Sequence, residues 1–162
     1  MSKLFAGLTR SELMSRIRSR GNKGTEVALA KLFRRNKITG WRRQIQLRVG
    51  ELRVDGRKRS TSPRPSPQSG EGVRVRPDFV FRQARLALFV DGCFWHGCPK
   101  HGTQPKGNAA FWRRKFSRNI ARDKLVTRAL RRANWRVLRV WEHELAKKNH
   151  ARLLQRIRKH FA

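Results

Sequence analysis

Two short apolar runs, Phe79-Val80-Phe81 and Leu86 to Val90, are separated by the polar Arg82-Gln83-Ala84-Arg85. Runs of that length, split by a few polar residues, predict two adjacent strands joined by a tight turn. A carboxylate stands at the mouth of each, Asp78 before the first and Asp91 after the second. Upstream, Thr25 to Phe33 has apolar positions at helical spacing. Thr25 is placed to cap that helix, and Glu26 falls in its first turn, where the helix dipole favours an acid without further purpose. Trp41 to Leu47 alternates in part after the Thr39-Gly40 break and predicts a further strand.

Downstream, Phe111 or Trp112, Phe116, Ile120, Val126 and Leu130 recur at near-helical intervals within residues 108–134, with arginines filling the other face. That pattern predicts a long basic amphipathic helix. Trp135 to Trp141 reads as a strand, and Glu142 to Phe161 as a closing helix with Leu145, Leu153, Leu154, Ile157 and Phe161 inward. The sum is an α/β or α+β single domain: a mixed central sheet of three or four strands flanked by helices.

Two stretches stand apart. Residues 1–23 carry a short apolar rhythm at Leu8, Leu13, Met14 and Ile17, with Arg10, Arg16, Arg18 and Arg20 on the outside. They read either as a basic, phosphate-gripping N-terminal arm or as a frayed terminus. Residues 49–75 include GRKRSTSPRPSPQSGEG, rich in proline and glycine and without a bulky apolar side chain. Such a segment buries too little surface to offset the entropy of ordering it, so it is expected to be a disordered insertion, a few residues at each end continuing the flanking strands.

Charge then changes the picture. The 162 residues contain 41 Lys and Arg against 10 Asp and Glu, a net charge of +31. A compact fold so charged repels itself unless a polyanion neutralises it, and nucleic acid is the usual partner. Composition alone equally suits a ribosomal or nucleoid-coating protein. With no long apolar run and no signal-peptide core in MSKLFAGLTR, the expectation is a cytoplasmic, nucleoid-associated protein without membrane contact. In that compartment two cysteines read as metal ligands rather than a disulfide.

The segment after the paired strands concentrates the chemistry: Gly-Cys-Phe-Trp-His-Gly-Cys-Pro-Lys-His, residues 92–101. Cys93, Cys98 and His101, with His143 from beyond the last strand, offer the ligand types of four-coordinate structural zinc. The alternative is that the thiols are simply buried and the imidazoles solvated. Asp78 and the strand end at Val90 and Asp91 are neighbours in a paired sheet, where carboxylate and backbone oxygens suit Mg2+. His96, the histidine of the block not wanted by zinc, could take a proton there. The plain reading of Pro77-Asp78 is an ordinary strand entry. Phe94, Trp95 and Trp112 either fill the core or wedge into a base stack.

Pro77-Asp78-Phe79-Val80-Phe81 and Phe89-Val90-Asp91-Gly92-Cys93-Phe94-Trp95-His96 resemble the very short patch repair (Vsr-type) DNA mismatch endonucleases, a branch of the PD-(D/E)xK nuclease superfamily with a restriction-endonuclease-like core. The resemblance continues through Met14 to Arg18, the Thr25-Glu26 helix, Ala110-Phe111-Trp112, Arg122-Asp123 and Trp135 to Glu142. It implies a Mg2+-dependent DNA endonuclease acting on double-stranded DNA, and a monomer is expected. The nick would fall 5′ to the thymine of a T:G mismatch left by deamination of 5-methylcytosine. By position, Asp78 and the backbone carbonyl of Val90 would hold Mg2+, His96 would activate water, and Asp123 and Glu26 would support the site. Phe94, Trp95 and Trp112 match the intercalating aromatics. Structural zinc falls on Cys93, Cys98, His101 and His143.

The chain departs from the family pattern at three places. Val90-Asp91 stands where well-known members have threonine-histidine, so Asp91 is expected to join the metal site or change its pH response. His143 replaces a cysteine ligand. The insertion, with its Ser-Pro-Arg-Pro-Ser-Pro composition, resembles translated repetitive DNA. Two rival readings follow: a catalytically impaired, zinc-stapled basic DNA-binding protein, and a nuclease of the same fold with a different DNA target.

Overall fold

The computed structural model describes residues 25–49, 73–102, 105 and 107–161. The N-terminal arm, with Arg16 and Arg18, and the body of the insertion lie outside these residues. The described chain runs α1 (Glu26–Arg35), β1 (Trp41–Arg43), β2 (Leu47–Val49), β3 (Val73–Val75), β4 (Phe79–Phe81), β5 (Leu86–Asp91), α2 (Ala109–Arg132), β6 (Arg136–Trp141) and α3 (His150–Arg158). Four strands form one mixed sheet in the order β1-β4-β5-β6, and β2 and β3 pair separately. β1, β4 and β5 are antiparallel neighbours. β5 and β6 are parallel, as a connection carrying a 24-residue helix between them allows.

The apolar runs become strands buried on both faces, because successive side chains point to opposite sides. Phe79, Phe81, Leu86, Leu88, Leu138 and Val140 meet Leu29, Leu32 and Phe33 of α1 and Leu153, Leu154 and Ile157 of α3. Val80 and Ala87 face the other way, against Leu47, Val49 and Val75 of the small ladder and Ala129 and Leu130 of α2. Phe33 is fully buried and lies edge-on to Phe79 and Phe81, with ring centroids 5.3 and 5.7 Å away.

Several expected elements differ. The strand drawn over Trp41 to Leu47 is two strands, broken where Gln44 takes a positive φ of 52° and its N–H turns to the Asp78 carbonyl. The closing helix is shorter. Glu142–Leu145 and Lys147–Asn149 are 3₁₀ turns, in which the Glu144 carboxylate accepts the Trp141 N–H, and α3 begins only at His150. Thr25 precedes α1 but makes no side-chain cap, and Phe161 remains 41% exposed, its ring touching Phe81. At the ends of the 49–75 segment the flanking strands continue as expected, Val49 pairing with Val73.

Removing the Phe33 ring should cost about 3–5 kcal/mol, the usual loss for a buried aromatic cut to alanine. Phe161→Ala should cost less than about 1 kcal/mol, and urea melts of the two variants separate them.

Candidate active site and metal cluster

β4 starts where β5 ends, because the two are antiparallel. Asp78 and Asp91 therefore lie at the same end of the sheet. The Val90 N–H donates to Asp78 Oδ2 at 2.7 Å, which draws together the two positions expected to hold a cation. Glu26, at the first turn of α1 and 5% exposed, accepts from Arg43 Nη2 at 2.7 Å and from Gln44 Nε2 at 2.9 Å. Burial lifts the Asp78 carboxyl to about 6. The Val90 N–H works against that lift, the Glu26 and Asp91 charges add to it, and Arg139 opposes it. An oxygen-only donor set carrying this much unneutralised acid suits a hard cation.

Period-2 alternation puts Asp91 of β5 and Arg139 of β6 on the sheet face covered by α2, the helix that carries Asp123. Arg139 Nε and Nη2 each donate to an Asp91 oxygen at 2.6 Å, and Nη2 also reaches Asp123 Oδ1 at 3.1 Å. His96 Nδ1 lies 2.5 Å from Asp123 Oδ2 and 3.8 Å from Asp91 Oδ1. Burial works to raise the Asp123 carboxyl, but the His96 hydrogen bond, the His96 charge and Arg139 outweigh it and hold it below its usual range. A carboxylate there makes His96 Nδ1 the donor and leaves Nε2 of the neutral ring as an acceptor. The four side chains line a cleft of about 240 Å³ with Ile120, Lys124, Thr127 and Trp141. Asp91, whose role the sequence left open, is thus engaged by a guanidinium. Arg139 was the residue that sequence reading missed. Its signal was an arginine among inward positions of an apolar strand, on the face shared by Val137.

Two residues beyond the end of each parallel strand stand Cys93 and His143. Cys93 Sγ is 3.2 Å from His143 Nδ1, Cys98 Sγ is 3.5 Å from the same atom, and His101 Nδ1 is 3.9 Å from Cys98 Sγ. All four ligand atoms fall within 4.8 Å of one another. A tetrahedral zinc ion, with bonds of about 2.3 Å to sulfur and 2.0 Å to nitrogen, spaces its ligands roughly 3.3–3.8 Å apart, so the set fits. The loop closes tightly. Gly102 donates to the Cys98 carbonyl at 2.7 Å, and a Cβ at residue 102 would sit 2.5 Å from that oxygen, so glycine is required there. Burial raises the Cys93 thiol to about 11, a hydrogen bond from the His143 backbone N–H lowers it, and the Cys98 sulfur adds to the rise. Zinc must therefore displace protons to bind.

The aromatics cluster beside this end. Phe94 stands edge-on to Trp95, Trp112 and Phe116 at 5.1–5.2 Å. Lys115 Nζ lies over the Trp95 ring at 5.0 Å and the Trp112 ring at 5.4 Å. Phe94 and Trp95 are half-buried, whereas Trp112 is 5% exposed. Asn119 Nδ2 donates to the Trp95 carbonyl and ties this loop to α2.

These features define a basic α/β domain with acids, an imidazole and a Cys/His cluster gathered at one end of a mixed sheet. Residues 69–101 match the family model described as DNA mismatch endonuclease Vsr. The chain is 56% identical to the type II nicking enzyme V.NaeI of Lentzea aerocolonigenes over 75 residues, 46% of this chain and 45% of that one. It is 45% identical to the type II nicking enzyme V.NmeDIP of Neisseria meningitidis serogroup C over 74 residues, 44% of this chain and 50% of the relative. Identity to the DNA mismatch endonuclease Vsr of Escherichia coli K12 is 40% over 68 residues, 41% of this chain and 44% of the other. The chain is thus similar, over part of its length, to a Vsr DNA mismatch endonuclease and to type II nicking enzymes. The chain spans about half the length of the curated relatives it matches.

Metal analysis of purified protein should find one zinc per chain, and Cys98→Ser should remove it with a loss of thermal stability. For Asp78 the folded carboxyl keeps its proton up to about pH 6, whereas the unfolded one releases it near 4, so metal-free stability falls as pH rises between these values. Asp78→Asn abolishes that loss. Its denaturation curves should match the parent near pH 4 and show a gain of up to about 3 kcal/mol by pH 8.

Proposed function

We propose that this protein is a Mg2+-dependent DNA endonuclease that nicks one strand of a duplex. The observation that carries the reading is the coincidence of Asp78, the Val90 peptide and the Asp123–His96 pair at one sheet end, within or packed against residues 69–101, which match the model described as DNA mismatch endonuclease Vsr. Mg2+, held by Asp78 and the Val90 carbonyl, would polarise the scissile phosphodiester. His96 Nε2, left free by the bond from Nδ1 to Asp123, would take the proton of the attacking water. Glu26, fixed by Arg43 and Gln44, would complete the acidic wall. Phe94 and Trp95 would open the base stack, with Trp112 behind them, and Arg16 and Arg18 would grip the flanking phosphates.

The names of the relatives favour a nicking activity without specifying T:G repair, since V.NaeI and V.NmeDIP are called type II nicking enzymes. The T:G mismatch left by 5-methylcytosine deamination is the specific site that the family resemblance supplies. A wobble pair costs less to pry apart than a matched one, which suits an aromatic wedge. The substrate places the working protein with the nucleoid.

The test is strand nicking of end-labelled duplexes carrying T:G or T:A at one position in several sequence contexts, with Mg2+ or chelator. Cleavage of one strand, abolished by chelator and by Asp78→Ala while binding persists, is the expected result. Salt-sensitive binding with no nick in any context would leave the DNA-binding reading in its place.

A further inference from the structure

We infer that Arg139 is a positioning residue for the nick: it braces the Asp123–His96 pair by anchoring Asp123 to the buried carboxylate of Asp91. The inference rests on the nicking reading but uses a residue that the family resemblance did not assign a role. Asp91 is 4% exposed and takes both Nε and Nη2 of Arg139 at 2.6 Å, a two-pronged grip that fixes the plane of the guanidinium. The Phe89 ring supports that plane from one side, its centroid 5.0 Å from Arg139 Cζ. From this fixed position Nη2 forms an ion pair with Asp123 Oδ1 at 3.1 Å, while the other oxygen of Asp123 takes His96 Nδ1 at 2.5 Å. Each carboxylate oxygen of Asp123 is thus held, one from the sheet and one by the base.

The arrangement has a consequence for direction. Asp123 sits on α2, which joins the sheet through side-chain packing, whereas Asp91 and Arg139 sit on strands locked in register. The guanidinium transfers the rigidity of the parallel ladder to the helix-borne carboxylate, and through it to the ring of His96. A lysine keeps the charge but lacks the fork that reaches two carboxylates at once.

The test uses Arg139→Lys and the neutralised pair Asp91→Asn with Arg139→Met, which avoids leaving a buried carboxylate unpaired. Single-turnover nicking and DNA affinity are measured for the parent and both variants, together with the proton NMR resonance of the His96 Nδ1–H bonded to Asp123 in the DNA-free protein. The expected result is cooperative unfolding near the parent's temperature, DNA affinity within about twofold, and nicking slowed about 10- to 100-fold, as for loss of a group that orients a catalytic ligand. The His96 resonance should move or broaden in both variants. A neutralised pair that nicks at the parental rate, or an unchanged His96 resonance, would overturn the inference and leave Arg139 as a structural ion pair. If the parent nicks no duplex, the nicking reading fails, and the resonance alone still decides whether Arg139 sets the His96–Asp123 geometry.

Discussion

The parallel ladder between β5 and β6 is the constraint on which the rest of the structure depends. Its register runs without a break from Leu86 opposite Arg136 to Asp91 opposite Trp141. With the two strands in phase and ending together, whatever follows each must share one small volume. Asp91 meets Arg139 across that ladder, and Cys93 and His143, each two residues further on, come to 3.2 Å. A slip of one residue would turn Arg139 to the opposite face, towards α1 and α3, and separate the thiol from its imidazole. The ladder is strongly held, because Leu86, Leu88, Leu138 and Val140 are buried on one side and Ala87 on the other.

Charge is distributed to match. Six of the ten acids lie among the described residues: Glu26, Asp78, Asp91, Asp123, Glu142 and Glu144. All six stand at the sheet end where β5 and β6 finish. The rest of the chain is overwhelmingly basic, so the protein is an acidic island in a field that attracts a polyanion. Left alone, the island would push a phosphate away. Arg43 on Glu26 and Arg139 on Asp91 and Asp123 neutralise part of it, and Asp78, with no cation bonded to it among the described residues, keeps its proton to about pH 6. On the proposed nicking reading, a divalent cation would finish that neutralisation where the backbone of a DNA strand would arrive. The Cys/His cluster next to it pins the 92–102 loop, which carries Phe94, Trp95 and His96 from the strand end towards α2.

Much of this was legible in the sequence. The paired strands at Phe79 and Leu86, the long helix, the last strand and the crowded 92–101 segment all announce themselves by apolar period or by composition, which are local properties. The Cys/His cluster was offered by residue type and spacing, and its fourth member His143 by its place just beyond the last strand. The split between β1 and β2 and the 3₁₀ turns after β6 were not legible. They arise because Gln44 turns its N–H to the Asp78 carbonyl and Glu144 captures the Trp141 N–H, contacts with no trace in periodicity.

By itself the sequence determined the mixed α/β class and the strongly basic charge, and it named most of the groups that the fold gathers at the candidate site, since burial period and ligand chemistry reside in single residues and their near neighbours. Only the tertiary structure decided how those groups are used. It paired Asp91 with Arg139 while keeping it beside His96 and Asp123, and gave both oxygens of Asp123 a partner. It also set Trp112 behind Phe94 in the unbound protein. These outcomes depend on which faces of β5, β6 and α2 meet, and that is fixed by strand register and helix packing over a separation of some 48 residues between Asp91 and Arg139, beyond the reach of any local pattern.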